Sequence, residues 1–283
     1  MHGTPRPRLS VRRWGSATPQ LVLIHGLGDG GFVWESFARL LDPDLAAWAL
    51  DLRGHGDSDW DPLRRYGIEA YADDVECVLR HVGVSRPVLI GHSLGGAVAI
   101  RVAAVESNQV RALVIVDGGP ELNSAATEKV AQRFREQPRH YNSVLHYVSC
   151  LTERFPLADR EDINAFAASA LRRSERQSLE LKFDPAVADC LPLENPGRVW
   201  KALHAVKCPI LLVRGAVSGI LSQPLADYIA HRLPNCRLAC VASAGHTVML
   251  DNSRGFYAAL HPFLRAVMAQ DPPIAATHAA TSG

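Results

Sequence analysis

Short runs of Val, Ile and Leu alternate along this chain with longer stretches in which apolar residues return every three or four positions. The runs QLVLIHG (20–26), AAWALDLRG (46–54), RPVLIGHS (86–93), RALVIVDGG (111–119), CPILLVRG (208–215) and CRLACVASAGH (236–246) read as strands. They are almost continuously apolar, as strands covered on both faces of a parallel sheet must be. Between them WESFARLL (34–41), IEAYADDVECVLRHVG (68–83), LGGAVAIRVAAVE (94–106), PLADYIAHRL (224–233) and RGFYAALHPFLRAVMA (254–269) read as helices. In the second of these, Tyr71, Val75, Val78, Leu79 and Val82 fall on one face at helical spacing. Strand and helix in alternation predict an α/β fold with a doubly wound, mostly parallel sheet.

The alternation stops between about 121 and 200. NSAATEKVAQRFREQ, YNSVLHYVSCLTERF, REDINAFAASALRRSERQ and PGRVWKALHAV have helical patterns, and no strong strand stands among them. An all-helical insert between two sheet strands reads as a lid over one edge of the sheet. The expected organisation is therefore a sheet core from residues 1–120 and 201–270 and a helical lid over 121–200. The small, Pro-containing tail at 271–283 is expected to be disordered. No internal repeat of solenoid length is present.

Composition narrows the function classes. Apolar residues make up 47% and charged residues 21%, and 30 Lys and Arg stand against 29 Asp and Glu. Nothing in that balance calls for nucleic acid or an anionic membrane as partner. No apolar run approaches the roughly 20 residues needed to cross a bilayer, and the basic N-terminus lacks the apolar stretch of a secretory signal. The six cysteines at 77, 150, 190, 208, 236 and 240 form no CxxC pair. They read as free thiols in a reducing cytoplasm. Cys236 and Cys240 are spaced CxxxC without nearby histidine partners, so no zinc site is expected.

The chemistry concentrates at VLIGHSLGGAVAI (88–100). A parallel strand ending at Ile90 delivers the chain to the carboxyl edge of the sheet, where α/β proteins bind ligands. Gly91-His92-Ser93-Leu94-Gly95 then fits G-x-S-x-G, in which a serine occupies a sharp strand-to-helix turn. Backbones crowd there, so side chains two residues before and after the serine must be absent. The hydroxyl is left exposed, and the following helix turns its positive end toward developing negative charge.

With HGLGDG (25–30), DLRGHGDSD (51–59), GHSLGG (91–96) and SAGHTVMLDN (243–252) in that order, the chain resembles the α/β-hydrolase fold superfamily, specifically its lidded serine esterases. The resemblance spans about residues 10 to 268 and implies a helical lid inserted after the sixth strand. It also implies an oxyanion hole formed by the backbone N–H groups of Leu27 and Leu94. Leucine is no obstacle there, because backbone donors do not constrain the side chain. His25 is expected to brace that loop rather than titrate in catalysis.

Of the 12 histidines, His246 is the candidate base, since it ends the last strand at the same sheet edge as Ser93. His55 precedes the serine, whereas this fold orders serine, acid, histidine; RGHGDS reads as a structural loop. His204, His231 and His261 fall on helices. The acid departs from the family pattern. After the seventh strand of that pattern the chain reads RGAVSGILSQ (214–223) without a carboxylate, and Gly219 stands where aspartate is usual. The family's second location, the end of the preceding strand, holds Asp117 in VIVDGG. Asp117 is the expected acid, against the alternative that it merely opens a turn; Asp251 is a weaker candidate, better placed as a helix cap.

A Ser93–His246–Asp117 triad implies a cofactor-independent hydrolase of a carboxylic ester or thioester. Carbon–carbon bond hydrolysis or lysis on the same triad, or a ligand-binding protein with little turnover, are the alternatives. Arg133, Arg135 and Arg139, and Arg172, Arg173 and Arg176, admit an acidic or carrier-linked acyl substrate, although their mixed-charge surroundings fit a solvated face better. Trp34, Tyr147, Phe155 and Trp200 fit either a pocket lining or an interface core. Natural substrate and oligomeric state are not legible.

Overall fold

The computed structural model describes residues 6–16, 18–106, 108–174, 178–189 and 195–269. Seven strands form the main sheet: β1 (Val11–Trp14), β2 (Leu21–Ile24), β3 (Ala47–Leu50), β4 (Val88–His92), β5 (Ala112–Val116), β6 (Ile210–Gly215) and β7 (Cys236–Val241). Their order is β1-β3-β2-β4-β5-β6-β7. All neighbours run parallel except β1, which is antiparallel to β3. The central strands β2, β4 and β5 are buried along their whole length, which is why their sequences are dominated by Val, Ile and Leu.

Six of these strands match the apolar runs. The seventh, β1, carries VRRW and lies at an edge. Its arginines cover aromatic faces, Arg13 at 4.6 Å from the Trp48 ring and Arg12 at 5.8 Å from Phe32, so the strand has no apolar signature.

The long helices of the core are α1 (Ile68–Val82), α2 (Leu94–Val105), and, after the insert, Gln223–Arg232 and Ser253–Met268. WESFARLL is shorter than its pattern predicts, a 3-10 turn at Gly31–Trp34 followed by one α turn at Glu35–Ala38. Trp34 and Phe37 pack there against Phe256, with ring centroids 6.2 and 5.0 Å away. Among the described residues no helix is long and apolar enough to cross a membrane.

The insert lies between β5 and β6. It contains α3 (Ser124–Glu136), α4 (Val144–Arg154), α5 (Arg160–Ala170) and α6 (Pro196–Ala205), and α6 packs against α2 of the core. One expectation is corrected here. The insert precedes β6, the strand that the family pattern counts as its seventh, but it is not all helix: His140–Tyr141, Leu171–Arg173 and Leu179–Leu181 form a three-stranded antiparallel sheet.

The stretch expected to be one helix over 160–177 therefore breaks at Ala170. Leu171 pairs with Leu181, both buried, while Arg172 on the opposite side of the pleat donates to Glu180 at 2.9 Å. That alternation spans only three residues per strand, too short to outweigh a helical pattern. Arg176, Cys190 and the 271–283 tail lie outside the described residues; the other five cysteines are free thiols.

Candidate active site

Four loops leave the carboxyl ends of β2, β4, β5 and β7 and meet at one rim of the sheet, the position that parallel strands reserve for ligands. Ser93 follows β4 with φ 51° and ψ −115°, a backbone region that costs about 1–3 kcal/mol for a non-glycine residue. The surroundings hold it there: the Ser93 amide donates to the Val116 carbonyl at 3.0 Å, and Gly96 N donates to the Ser93 carbonyl at 2.9 Å. A β-carbon on Gly91 would collide with the Gly95 carbonyl, and one on Gly95 with the Ile24 carbonyl. The two glycines are thus demanded by backbone contact. Leu94 is the first residue of α2.

Asp117 follows β5, also at positive φ (48°), and is fully buried. Its carboxylate accepts three hydrogen bonds: from Gly215 N at 3.1 Å, from the Ser218 hydroxyl, and from His246 Nδ1 at 2.8 Å. Donation from Nδ1 leaves His246 Nε2 as the nitrogen available to a proton from a reacting hydroxyl. His246 and Ser93 line one cavity.

Ser218 explains how the loop after β6 manages without a carboxylate. Its hydroxyl accepts from Ile220 N at 3.1 Å while donating to Asp117, so the loop grips the aspartate of the neighbouring strand. A side chain at Gly219 would meet open space. Sequence reading missed Ser218, whose partner is 101 residues away.

Asp251 does not hydrogen-bond the imidazole, whose Nδ1 is taken by Asp117. Asp251 accepts from Gly245 N at 2.8 Å and braces the histidine loop, and burial raises its carboxyl above the ordinary range. The cap of the following helix is Asn252, which accepts from Gly255 N at 2.8 Å, and not Asp251.

Two further histidines shape the rim without titrating near neutrality. His25 donates from Nδ1 to the Gly26 carbonyl at 2.7 Å and accepts from Leu52 N at 3.0 Å. Burial pushes it down to about 4, so it ties the HGLGDG loop to the chain after β3 as a neutral ring. His92, within the elbow, donates from Nε2 to the His246 carbonyl at 2.9 Å. Burial holds it well below the usual histidine range, with the proximity of His246 second. No role for His92 was read from the sequence, although it occupies the variable position before the serine.

His55 lies away from the cavity, pairing with Phe183 of the insert, and burial pushes it down to about 3. Its loop is structural: Asp51 accepts from Gly31 N at 2.6 Å and Asp57 N at 2.9 Å. Arg53 grips Asp74 with two bonds of 2.6 Å and Asp61 with one of 2.9 Å. His204 donates to the Trp200 carbonyl at 2.8 Å and His261 bonds Asp42 at 3.2 Å, both away from the rim.

The cavity measures about 250 Å³. Leu27, Asp29, Ser93, His246 and Thr247 form its floor on the sheet side, and Arg133, Phe134, Arg154, Phe155 and Leu157 enclose it from the insert. Arg154 lies over two rings at once, 5.1 Å from Phe134 and 4.9 Å from Phe155. Of the described arginines singled out in the sequence, only Arg133 lines this cavity. Arg135 pairs with Glu128 at 3.0 Å, Arg139 donates to the Phe183 carbonyl at 2.6 Å, and Arg172 pairs with Glu180. Arg173 borders a separate cleft beside Tyr141. Arg154 was not anticipated. Among the four aromatics, Phe155 lines the cavity, whereas Trp34 is sheet core, Tyr147 packs on Tyr141 at 4.6 Å, and Trp200 donates to Glu121 at 2.7 Å. Among the described residues no group of three or more His, Cys, Asp or Glu side chains is placed to hold a metal ion.

Comparison with known proteins shows the family to which this fold belongs. The model of a family described as the alpha/beta hydrolase family matches residues 21–260. An esterase of Mycobacterium tuberculosis is 27% identical over 253 residues, covering 87% of this chain and 83% of that protein. The N-formylmaleamate deformylase of Pseudomonas putida is 28% identical over 259 residues, 89% of this chain and 91% of the relative. Among solved structures, an E-2-(acetamidomethylene)succinate hydrolase superposes with a TM-score of 0.82 at 25% identity, covering 92% of this chain and 98% of that one.

Proposed function

The chain belongs to the alpha/beta hydrolase family and is an enzyme of that type, and from that membership we propose that it is a serine hydrolase of small carboxylic esters or thioesters. Ser93 is the nucleophile, His246 the base, Asp117 the acid, and the backbone N–H groups of Leu27 and Leu94 form the oxyanion hole. The observation that carries this reading is the 2.8 Å bond from His246 Nδ1 to a buried Asp117, with Ser93 in the same cavity.

In the reaction, the Ser93 hydroxyl attacks the acyl carbon and its proton passes to His246 Nε2. Asp117 keeps the ring in the Nδ1–H tautomer and stabilises the imidazolium that forms. Negative charge on the acyl oxygen is met by the two amides, each worth about a hundred- to thousand-fold in rate. The leaving alcohol or thiol takes the proton from Nε2. Water then attacks the acyl-enzyme and gives a proton to His246, which passes it to the Ser93 oxygen as the bond to the acyl carbon breaks and the acid leaves. No cofactor enters these steps.

The insert over 121–200 acts as the lid, since α3 and the end of α4 roof the cavity. A volume of about 250 Å³ suits a small acyl group, below the roughly 300 Å³ at which drug-sized ligand sites begin. Two arginines facing the reaction centre favour a substrate with an anionic group. Two of the relatives have carboxylate substrates by name, N-formylmaleamate and 2-(acetamidomethylene)succinate. These relatives are hydrolases, and nothing in the cavity favours the ligand-binding or lyase alternatives.

The test is a serine-directed fluorophosphonate probe together with turnover of p-nitrophenyl butyrate. Ser93→Ala is expected to abolish labelling and lower kcat at least about a thousand-fold. Labelling that persists at another residue, or turnover that survives, contradicts the assignment.

A further inference from the structure

Asp29 is a group to which the acyl-transfer chemistry gives no task. It sits two residues beyond the oxyanion donor Leu27, is only 8% exposed, and lines the cavity with Ser93 and His246. No described residue donates a hydrogen bond to its carboxyl. A buried carboxyl without a donor is costly, and the cavity that Asp29 lines gives a donor access to it.

The groups around it are charged or polar on every side. Arg154, at the end of α4, and His246, in the histidine loop, both act on its charge. Arg133 from α3 and Asp251 beside the histidine loop border the same space. Tyr147, earlier on α4, is near enough to feel the carboxylate, and His92 from β4 is neutral. Burial outweighs Arg154 and His246 and carries the carboxyl up to about 6. Near neutrality the same atom set is therefore a hydrogen-bond donor on one side of a narrow pH range and an anion on the other.

Resting on the acyl-transfer reading above, we propose that Asp29 is a charge filter that determines substrate specificity. When neutral, it leaves Arg133 and Arg154 to hold an anionic group of the substrate, such as the free carboxylate of a dicarboxylic acid monoester. When ionised, it takes up the field of Arg154 and repels that group.

The experiment compares mono-p-nitrophenyl succinate with p-nitrophenyl butyrate from pH 5.5 to 8, as the ratio of their kcat/KM values. Both esters need the same histidine, so its ionisation divides out. The probe carboxylate stays ionised throughout, since free carboxyls titrate near about 4. The ratio is expected to fall about tenfold across the range in the natural protein, because a like charge enters a partly desolvated site. In Asp29→Asn it should be independent of pH and, at pH 8, higher than in the natural protein.

A ratio that does not change with pH in the natural protein overturns the filter, and so does a failure to turn over the anionic ester at any pH. A pH dependence that survives in Asp29→Asn overturns it as well. Absence of Ser93-dependent turnover of the neutral ester overturns the acyl-transfer reading itself, and the filter with it. If Asp29→Asn fails to fold, the pH course of the natural ratio still decides.

Discussion

At the scale of single residues, Asp117 owes its place to three donors that arrive from two different loops. Gly215 N and the Ser218 hydroxyl come from the end of β6, and His246 comes from the end of β7. Fixing a carboxylate from both sides pins the imidazole that bonds to it, which is what general-base catalysis requires of its third member. On the proposed reading, Ser218 is therefore a positioning residue. Ser218→Ala should lower kcat about tenfold with KM nearly unchanged, and Ser218→Thr should restore most of the loss by returning the hydroxyl. Steady-state kinetics on p-nitrophenyl butyrate check this; a KM effect of the same size would point to a general loosening of the cavity instead.

Ser93, His246 and Asp117 were all legible because each sits in a strand-ending motif. Ser218, His92 and Arg154 were not. Their partners are far along the chain, and a serine, a histidine and a helix-terminal arginine carry no local mark of what they will touch.

At the scale of elements, the rim depends on loops made rigid by buried charge. Arg53 is held by Asp74 of α1 and by Asp61, with the side chains of all three almost fully buried. That cluster fixes the RGHGDS loop, whose Asp51 in turn anchors Gly31 just after the HGLGDG loop. Removing one partner of a buried ion pair strands the other, at about 3–5 kcal/mol. Asp74→Asn should lower stability by that order in a urea titration while leaving the affinity of the fluorophosphonate probe for Ser93 intact in the folded fraction. A loss below about 1 kcal/mol would show the cluster to be dispensable.

The main strands were legible because full burial demands continuous apolar sequence. β1 was not, since an edge strand whose arginines cover aromatic rings satisfies its packing without an apolar run. The small sheet in the insert escaped for a related reason. Its strands are three residues or fewer, and Leu171–Arg173 continues directly from a helix.

At the scale of the whole molecule, sheet and insert each supply half of the cavity. The sheet rim brings the serine, the histidine and the aspartate together. The insert contributes Arg133, Arg154 and the aromatic rings beneath Arg154. On the proposed reading, reaction type thus belongs to the sheet and substrate choice to the insert. The alternation of apolar runs revealed the first half, whereas the second emerges only once α3 and α4 are folded over the rim.

The central claim is that the carboxylate after β5 serves the histidine after β7 in place of one after β6. The most direct measurement is kcat of Asp117→Asn on p-nitrophenyl butyrate, with thermal unfolding as a control for fold. An asparagine holds the wrong imidazole tautomer, so kcat should drop by about 10⁴ with little change in melting temperature. Activity within tenfold of the natural protein in a well-folded Asp117→Asn variant would contradict the account.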